Sequence, residues 1–360
     1  MKPIIYKEIM PKVAIEKLKL MEIDDIVCLI GRDLDSVRSA LLESPYQNEI
    51  SKISKGEIDS ISLEEALLEN YVKTCENLIK FSSGNIRRLL LAVLRKFEIS
   101  NVKAMLRAVK ANMAVEEAMK HIIPVGTLDG NRCRAILVKA KTIEDIVNSF
   151  LDLEYGLIMR SVLAESERIE DLLPFEVALD KAVYQGILKS ASKLKGMDKK
   201  IAKNVLGIEI EAINIKIILR CKAIGISQNH IKEYLMPTFL INKKALETAI
   251  VATNMKSTVE YLLKEAEISN NSFYQDILLQ IKKEIEKPLS RLETILEKAS
   301  LKTSLDMLKE HTRYYNIGFI LAFLNLKWVE VKNLRSIIKG SERKIPASRV
   351  KDFLTLPGDY

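Results

Sequence analysis

Glycine and aromatic residues are scarce in this sequence of 360 residues. Glycine occurs 13 times, about half of its average usage, and phenylalanine, tryptophan and tyrosine together make up 6%. Leucine, isoleucine, lysine, glutamate and alanine dominate instead, a composition that favours helices. No run alternates β-branched and polar residues, and the best strand candidate, residues 134–138, fits a helix equally well. The sequence therefore predicts an all-α fold.

The sequence also lacks the residue groups that bind metals, phosphates or cofactors. The cysteines stand far apart with no C-x-x-C pair, which predicts a reduced chain with buried thiols and no zinc site. The histidines are isolated, and we interpret His121 and His230 as helix C-terminal residues that interact with the helix dipole. No glycine-rich phosphate loop is present. We therefore expect no cofactor, no metal, no bound nucleotide and no catalytic residue.

No uninterrupted apolar run reaches the ~18 residues that suggest a membrane-spanning helix. The best candidate, residues 314–329, is interrupted by Asn316, Asn325 and Lys327. The first eight residues lack the apolar core of a signal peptide. These features predict that any membrane role of the chain is peripheral.

Positive charge exceeds negative charge by a modest margin: 56 lysines and arginines face 48 acidic residues, for a formal charge of +8. Two tracts, residues 189–203 and 339–351, are rich in bases. Each tract is either a solvated helix face or a contact for an acidic protein surface or an anionic membrane. Nucleic acid is a weaker alternative, because aromatic residues are not interleaved with the bases. The candidate partner-binding residues are Lys193, Lys195, Lys199, Lys200, Arg343 and Lys344.

One ten-residue stretch occurs three times in the chain. Its pattern is Glu-x-x-Asn, a branched residue, a base, any residue, two apolar residues and a second base. Such internal repeats indicate that the fold is built from repeated structural units. The residues that define the motif are Glu98, Asn101 and Arg107; Glu211, Asn214 and Arg220; and Glu330, Asn333 and Lys339.

Other markers recur around each copy of this motif. A glutamate, at position 64, 176 or 293, precedes the motif asparagine by 37, 38 or 40 residues. A proline follows the same asparagine by 23, 23 or 24 residues. The spacing predicts three helical repeats of about 110 residues, each large enough for a small core of its own. We place these repeats at residues 1–129, 130–242 and 243–360, and the further motif residues are Glu64, Glu176 and Glu293.

The motif has a consistent geometry on a helical wheel. The glutamate and the asparagine head the apolar face, while the final base points away from it. Buried polar groups need partners, so each copy predicts a partner in the preceding helical turn or on a neighbouring helix. Because no second titratable group recurs at a fixed offset, a structural role is favoured over a catalytic one. We interpret Glu98, Glu211 and Glu330 as residues that fix helix register.

Local signals indicate where two of the helices begin. Residues 34–42 predict a helix that ends before a Ser-Pro pair. Further on, Ser62 and Glu65 match the capping-box pattern, with Ser62 as the N-cap and Glu65 reaching back to it.

The sequence resembles the C subunits of the archaeal A-type and bacterial V-type rotary ATP synthases, a family that includes the d subunit of the eukaryotic V-ATPase. The resemblance rests on the segments beginning at Phe175, Lys193 and Glu211, on the C-terminal segment from Trp328 to Pro346, and on the threefold repeat. It covers the whole chain in the same order. Repeat 1 is the most diverged, which leaves its docking surface undefined.

This resemblance implies a funnel-like, all-helical body made of three pseudo-equivalent repeats. It also implies a non-catalytic part of the central stalk, monomeric within the complex and peripheral on the cytoplasmic side of the cell membrane. The partners would be the coiled-coil D-type and F-type shaft subunits and the membrane proteolipid ring. The alternative is a helical scaffold that binds an acidic partner or nucleic acid through its basic tracts.

Overall fold

The prediction of an all-α fold is confirmed. The computed structural model describes residues 6–54, 59–165, 172–237, 241–269, 272–311 and 316–356. Within these ranges the chain forms helices and no strand, and its one isolated β-bridge joins Val125 and Leu128. The strand candidate at residues 134–138 lies inside a helix.

The described residues form nineteen helices, numbered here in chain order. Residues 34–42 form a helix as predicted. The helices are α1 Ile9–Leu18, α2 Ile23–Val27, α3 Leu34–Leu42, α4 Gln47–Ile50, α5 Ser60–Lys80, α6 Gly84–Lys110, α7 Val115–Met119, α8 Gly130–Lys139, α9 Ile143–Asn148, α10 Glu154–Glu165, α11 Leu173–Ser192, α12 Gly196–Ala223, α13 Gln228–Tyr234, α14 Lys243–Val251, α15 Met255–Ile268, α16 Ser272–Lys283, α17 Leu289–His311, α18 Ile317–Glu342 and α19 Ala347–Asp352.

The chain divides into two compact units. The first unit comprises residues 1–194 and 337–344, and the second comprises residues 195–336 and 345–360. In the first unit α11 packs against α6, and in the second α17 packs against α12. The long helix that carries the motif of repeat 1 thus packs against the helix that carries the marker glutamate of repeat 2. The same holds for repeats 2 and 3. This packing brings residues of different sequence repeats into one unit.

Each unit has an apolar core built from helix faces. In the second unit, α12 contributes Ile218, α14 contributes Ala249 and α16 contributes Ile281, all fully buried. In the first unit, Phe150 and Phe175 are among the largest fully buried side chains. Burial of these apolar faces is what holds amphipathic helices in place, since isolated helices are marginal in water.

The predicted start of α5 is wrong by one turn. The N-cap is Asp59, whose carboxylate accepts from the Ser62 backbone N–H at 2.7 Å, and the Ser62 hydroxyl accepts from the Asp59 N–H at 3.2 Å. Ser62 is therefore the third helical residue, and Glu65 lies within the helix instead of reaching back. Glu65 Oε1 is buried and has no hydrogen-bond partner among the described residues. Its burial, together with nearby Asp59, raises the pKa of Glu65 to about 7 against the opposing charge of Lys120.

The raised pKa of Glu65 predicts a pH-dependent stability. The folded protein holds the Glu65 proton more tightly than the unfolded chain, so stability present below pH 4.5 is lost as the pH rises through about 7. We expect Glu65→Gln to increase the free energy of unfolding by about 1–3 kcal/mol at pH 8 and to change little at pH 4.5. Urea unfolding at both pH values measures this difference.

The matched control is Glu117→Gln, which alters an exposed glutamate on α7 of the same unit. Its effect on the free energy of unfolding should be the same at pH 4.5 and pH 8. A Glu65→Gln effect that is also independent of pH would contradict the assignment.

Candidate functional site

The three motif asparagines make the same contact. Each lies on a long helix, is at most 4% exposed, and bonds both polar backbone groups of a residue 22 positions further along. In each contact Nδ2 donates to the backbone C=O and Oδ1 accepts from the backbone N–H. The N···O distances are 2.6 and 3.0 Å for Asn101 with Ile123, 3.3 and 2.8 Å for Asn214 with Met236, and 2.9 and 2.9 Å for Asn333 with Thr355.

This contact, which we call the asparagine clamp, holds the segment that returns after each short helix. Ile123 and Met236 each precede a proline, which has no N–H and favours extended backbone in the residue before it. An extended residue on a buried helix face needs partners for its own backbone groups, and an amide side chain supplies both a donor and an acceptor. The partner of each asparagine is therefore this downstream segment, not the preceding turn or a neighbouring base.

The motif glutamates of repeats 1 and 2 bind backbone amides of segments still further along. Glu98 Oε1 accepts from the Thr127 N–H at 3.1 Å, and Glu211 Oε1 accepts from the Ile241 N–H at 3.2 Å. Gly126 approaches Glu98 so closely that a Cβ there would lie 2.1 Å from Oε1, and its φ of +57° is a conformation that suits glycine. Both glutamates thus bind the last few residues of their own repeat.

The motif glutamate of repeat 3 has a different partner. Lys327 donates from Nζ to Glu330 Oε1 at 2.9 Å, and both side chains are about 5% exposed. The charge of Lys327 offsets the loss of hydration that burial imposes on the Glu330 carboxylate. The role of the three glutamates in helix register stays a hypothesis.

The final base of each motif pairs with the marker glutamate of another repeat. The base of repeat 1 binds the glutamate of repeat 2, the base of repeat 2 binds that of repeat 3, and the base of repeat 3 binds that of repeat 1. We call these contacts the junction pairs, and each lies within one of the two units. The N···O distances are 2.7 and 2.8 Å for Arg107–Glu176, 2.5 and 2.8 Å for Arg220–Glu293, and 3.2 Å for Lys339–Glu64.

Two junctions carry a second ion pair one helical turn away. Lys103 donates to both carboxylate oxygens of Asp180 at 2.8 and 2.9 Å, and Lys216 donates to Glu297 at 3.0 Å. The corresponding position in repeat 1 is Leu68, which is apolar. The junction through Lys339 therefore lacks this second pair.

The carboxylate of Glu297 collects further contacts. Lys332 pairs with it at 2.6 Å, and the Thr355 hydroxyl donates to it at 3.3 Å. Burial alone would raise the pKa of Glu297, but Lys332 and Lys216 bring it below the ordinary value. This cluster joins α12, α17 and α18 with charges, next to the clamp of Asn333.

The predicted partner-binding lysines and arginine lie on the surface or near it. In the first unit, Lys193 follows α11, and Arg343 and Lys344 follow α18; all three are exposed. In the second unit, Lys195 is the N-cap of α12, and Lys199 and Lys200 are its fourth and fifth residues. Lys195 and Lys200 are exposed, and Lys199 is partly exposed.

Among the described side chains, the histidines and cysteines belong to no group able to hold a metal ion. His121 follows α7, but His230 lies in the first turn of α13, so the prediction of a C-terminal position is wrong for His230. Its Nδ1 lies 3.0 Å from the Ser227 hydroxyl. Three of the cysteines are buried, as expected, while Cys28 is exposed. Burial raises the pKa of Cys75 to about 12, which leaves it a protonated thiol.

The described side chains contain no group of three His, Cys, Asp or Glu residues able to hold a metal ion. None of the described helices is both long and apolar enough to cross a membrane. The recurring polar chemistry of this fold therefore consists of the asparagine clamps and the junction pairs. Such chemistry is that of a structural protein whose parts are fastened to one another.

Comparison with known proteins identifies the family. A family model described as ATP synthase (C/AC39) subunit matches residues 11–353. The C subunit of the A-type ATP synthase of Methanocaldococcus jannaschii is 25% identical over 325 residues, which are 89% of this chain and 78% of that protein. That of Pyrococcus horikoshii is 28% identical over 81% of this chain and 75% of its own length, and that of Methanosarcina barkeri 23% identical over 98% and 93%. The chain belongs to the ATP synthase (C/AC39) subunit family, as the sequence predicted.

The asparagine clamp predicts a selective loss of stability. Asn214→Asp keeps an acceptor for the Met236 N–H but replaces the donor with a carboxylate that faces the Met236 carbonyl. We expect the free energy of unfolding to fall by about 1–3 kcal/mol, the usual effect of a buried unsatisfied polar group. Urea unfolding near pH 7 measures it, with Asn229→Asp on the exposed face of α13 as the control. An equal effect of the two variants would show that the clamp contributes nothing.

The junction pairs predict a measurable coupling energy. For Arg220 and Glu293, a double-mutant cycle with alanine should give about 0.5–1 kcal/mol at low salt, because Arg220 is bidentate but remains 59% exposed. The coupling should decrease at 1 M salt, where the screening length falls to ~3 Å. The control cycle is Lys282–Glu260, a pair with a single 3.2 Å contact between α15 and α16. A coupling no larger than that of the control would contradict the role of the junction.

Proposed function

We propose that this chain is the C subunit of an A-type ATP synthase and serves as a non-catalytic part of its central stalk. In this role it couples the rotary shaft of the soluble part, built of coiled-coil D-type and F-type subunits, to the membrane proteolipid ring. It would lie at the cytoplasmic face of the membrane and be present once in each complex. ATP chemistry and proton transport would belong to other chains.

The single observation that carries this proposal is the set of junction pairs. A protein that transmits torque must resist sliding between its own parts. Here each motif helix, 26 to 28 residues long, carries a clamp and an ion pair to another repeat. Bidentate arginine–carboxylate contacts fix orientation as well as distance. The asparagine clamp and the junction pair recur in every repeat, which suits a stiff connector better than a binding cleft.

We further propose that residues 1–129, 130–242 and 243–360 are three copies of one ancestral unit. The support is the recurrence of clamp and junction pair in each, with the same 22-residue spacing in every clamp. In repeat 3 the proline lies one residue further along, yet the clamped residue keeps this spacing.

A partner contact of the second unit is proposed at Lys195, Lys199 and Lys200. Three lysines at the N-terminus of α12 are unfavourable for that helix, because the positive end of the helix dipole lies there. Lysines at such a position are better explained by an acidic partner than by helix stability. This surface is our candidate for contact with a neighbouring protein of the stalk.

The test is purification of the complex from native membranes. We expect this chain to co-purify with the shaft subunits and the proteolipid ring, and the isolated chain to show no ATP hydrolysis. The variant with Lys195, Lys199 and Lys200 changed to Glu should be recovered in the complex at roughly one tenth of the wild-type yield, or less, if these contacts contribute about 1.4 kcal/mol.

This variant separates binding from folding, because glutamate at a helix N-terminus stabilises the helix. The control is charge reversal at Lys232, Lys256 and Lys264, exposed lysines of the same unit. A chain absent from the purified complex would refute the proposed function. Normal recovery of the triple variant would refute only the lysine contact.

A further inference from the structure

The three long helices end in the same way. Eleven residues after the motif asparagine, each chain segment adopts a left-handed backbone conformation: φ is +49° at Asn112, +73° at Gly225 and +52° at Lys344. In repeats 1 and 2, the next N–H closes the helix end by bonding a carbonyl five residues back, from Met113 to Ala108 and from Ile226 to Cys221, both at 2.9 Å. This is the common left-handed termination of an α-helix.

Lysine is poorly suited to that position. Glycine adopts positive φ without steric cost, and asparagine is the next best residue, whereas a Cβ on any other side chain crowds the backbone. Repeats 1 and 2 use these two favourable residues, and repeat 3 uses Lys344. A residue that strains the backbone where other copies do not is a reason to look for a function of its side chain.

The side chains at this helix end are also unusually free. Arg343 and Lys344 are exposed, and neither forms an ion pair or a side-chain hydrogen bond with any described residue. Lys339, on the same helix, is by contrast engaged in a junction pair. The positions matching Arg343 and Lys344 are Ala111 and Asn112 in repeat 1, and Ile224 and Gly225 in repeat 2. Adjacent bases therefore occur at one of the three helix ends.

The helix dipole does not explain this pair. A cation near a helix C-terminus is favourable, but Lys339 and Arg343 already supply that charge from residues with ordinary backbone angles. Placing a lysine at positive φ adds strain without improving the interaction. The helix dipole therefore gives no reason for a lysine at position 344.

We propose that Arg343 and Lys344 form a docking point for an acidic segment of a partner protein. Two adjacent bases suit one or two carboxylates, and arginine matches a carboxylate with two parallel hydrogen bonds. A membrane surface is a poorer match, because the first unit holds the part of the basic tract up to Lys344, with Lys339 already paired, and stable attraction to anionic lipid usually takes clusters of about four to eight bases. This inference does not depend on the proposed role in an ATP synthase.

The first measurement separates stability from binding. We expect Lys344→Gly to raise the thermal unfolding midpoint of the full chain by about 1–3 °C, because the strain is removed. Lys344→Asn should raise it less, and Lys344→Arg, which keeps both charge and strain, should leave it unchanged. A Lys344→Gly midpoint at or below that of the unaltered chain would overturn the strain argument.

The second measurement uses a fluorescently labelled peptide of ten glutamates at 50 mM salt, followed by anisotropy. Lys344→Gly should weaken its binding roughly three- to tenfold, although the same variant is more stable. Lys344→Arg should retain wild-type affinity. The matched control is Lys244→Gly, in an exposed pair of adjacent lysines that starts α14 and has ordinary helical backbone.

The outcomes are distinct. Weakened binding for Lys344→Gly but not for Lys244→Gly supports the docking point. Equal effects of the two variants, or no effect of either, would overturn it, since the peptide would then sense only the overall positive charge. Binding of the full chain to phosphatidylserine vesicles that is lost in Lys344→Gly, without any effect on peptide binding, would also overturn it in favour of a lipid surface.

Discussion

The arrangement of the long helices depends on the junction pairs, which are ion pairs between different repeats. In each junction pair, the base ends the motif of one repeat and the carboxylate begins the markers of another. Arg107 and Arg220 each bind a glutamate through two hydrogen bonds. The bases of these pairs remain about half exposed or more, so the value of the pairs lies less in free energy than in setting which helices meet and at what orientation. Apolar burial then supplies most of the stability.

The pairing also explains why the compact units do not coincide with the sequence repeats. Because α6 packs against α11, and α12 against α17, extensive packing crosses from one repeat to the next. A repeat that gives its carboxylate to one neighbour and its base to another is not a closed domain. The helices of repeat 2 are divided between the two units, with α11 in the first and α12 in the second.

Much of the fold could be predicted because it follows from residue composition and from regular intervals in the sequence. Helical composition and the recurring motif were sufficient for the all-α fold, and the family followed from the same residues. The junction pairs could not be predicted from the sequence, because Glu176 and Glu293 lie 69 and 73 residues from their arginines. The error at α5 has a local cause: Asp59 competes with Ser62 as N-cap and is the better acceptor. The residue type at Lys344 gave no sign of its left-handed backbone, which only the matching positions Asn112 and Gly225 of the other repeats indicate.

The asparagine clamp fixes the number of residues between the asparagine and the backbone group that it binds. Between the marker glutamate and the asparagine the intervals of the three repeats differ, at 37, 38 and 40 residues. Between the asparagine and the residue it holds, the count is 22 in every repeat. One residue more or less there would present a different backbone position to the amide. If the repeats share the common ancestry proposed above, changes in chain length are tolerated between the marker glutamate and the asparagine and not between the asparagine and the residue it binds.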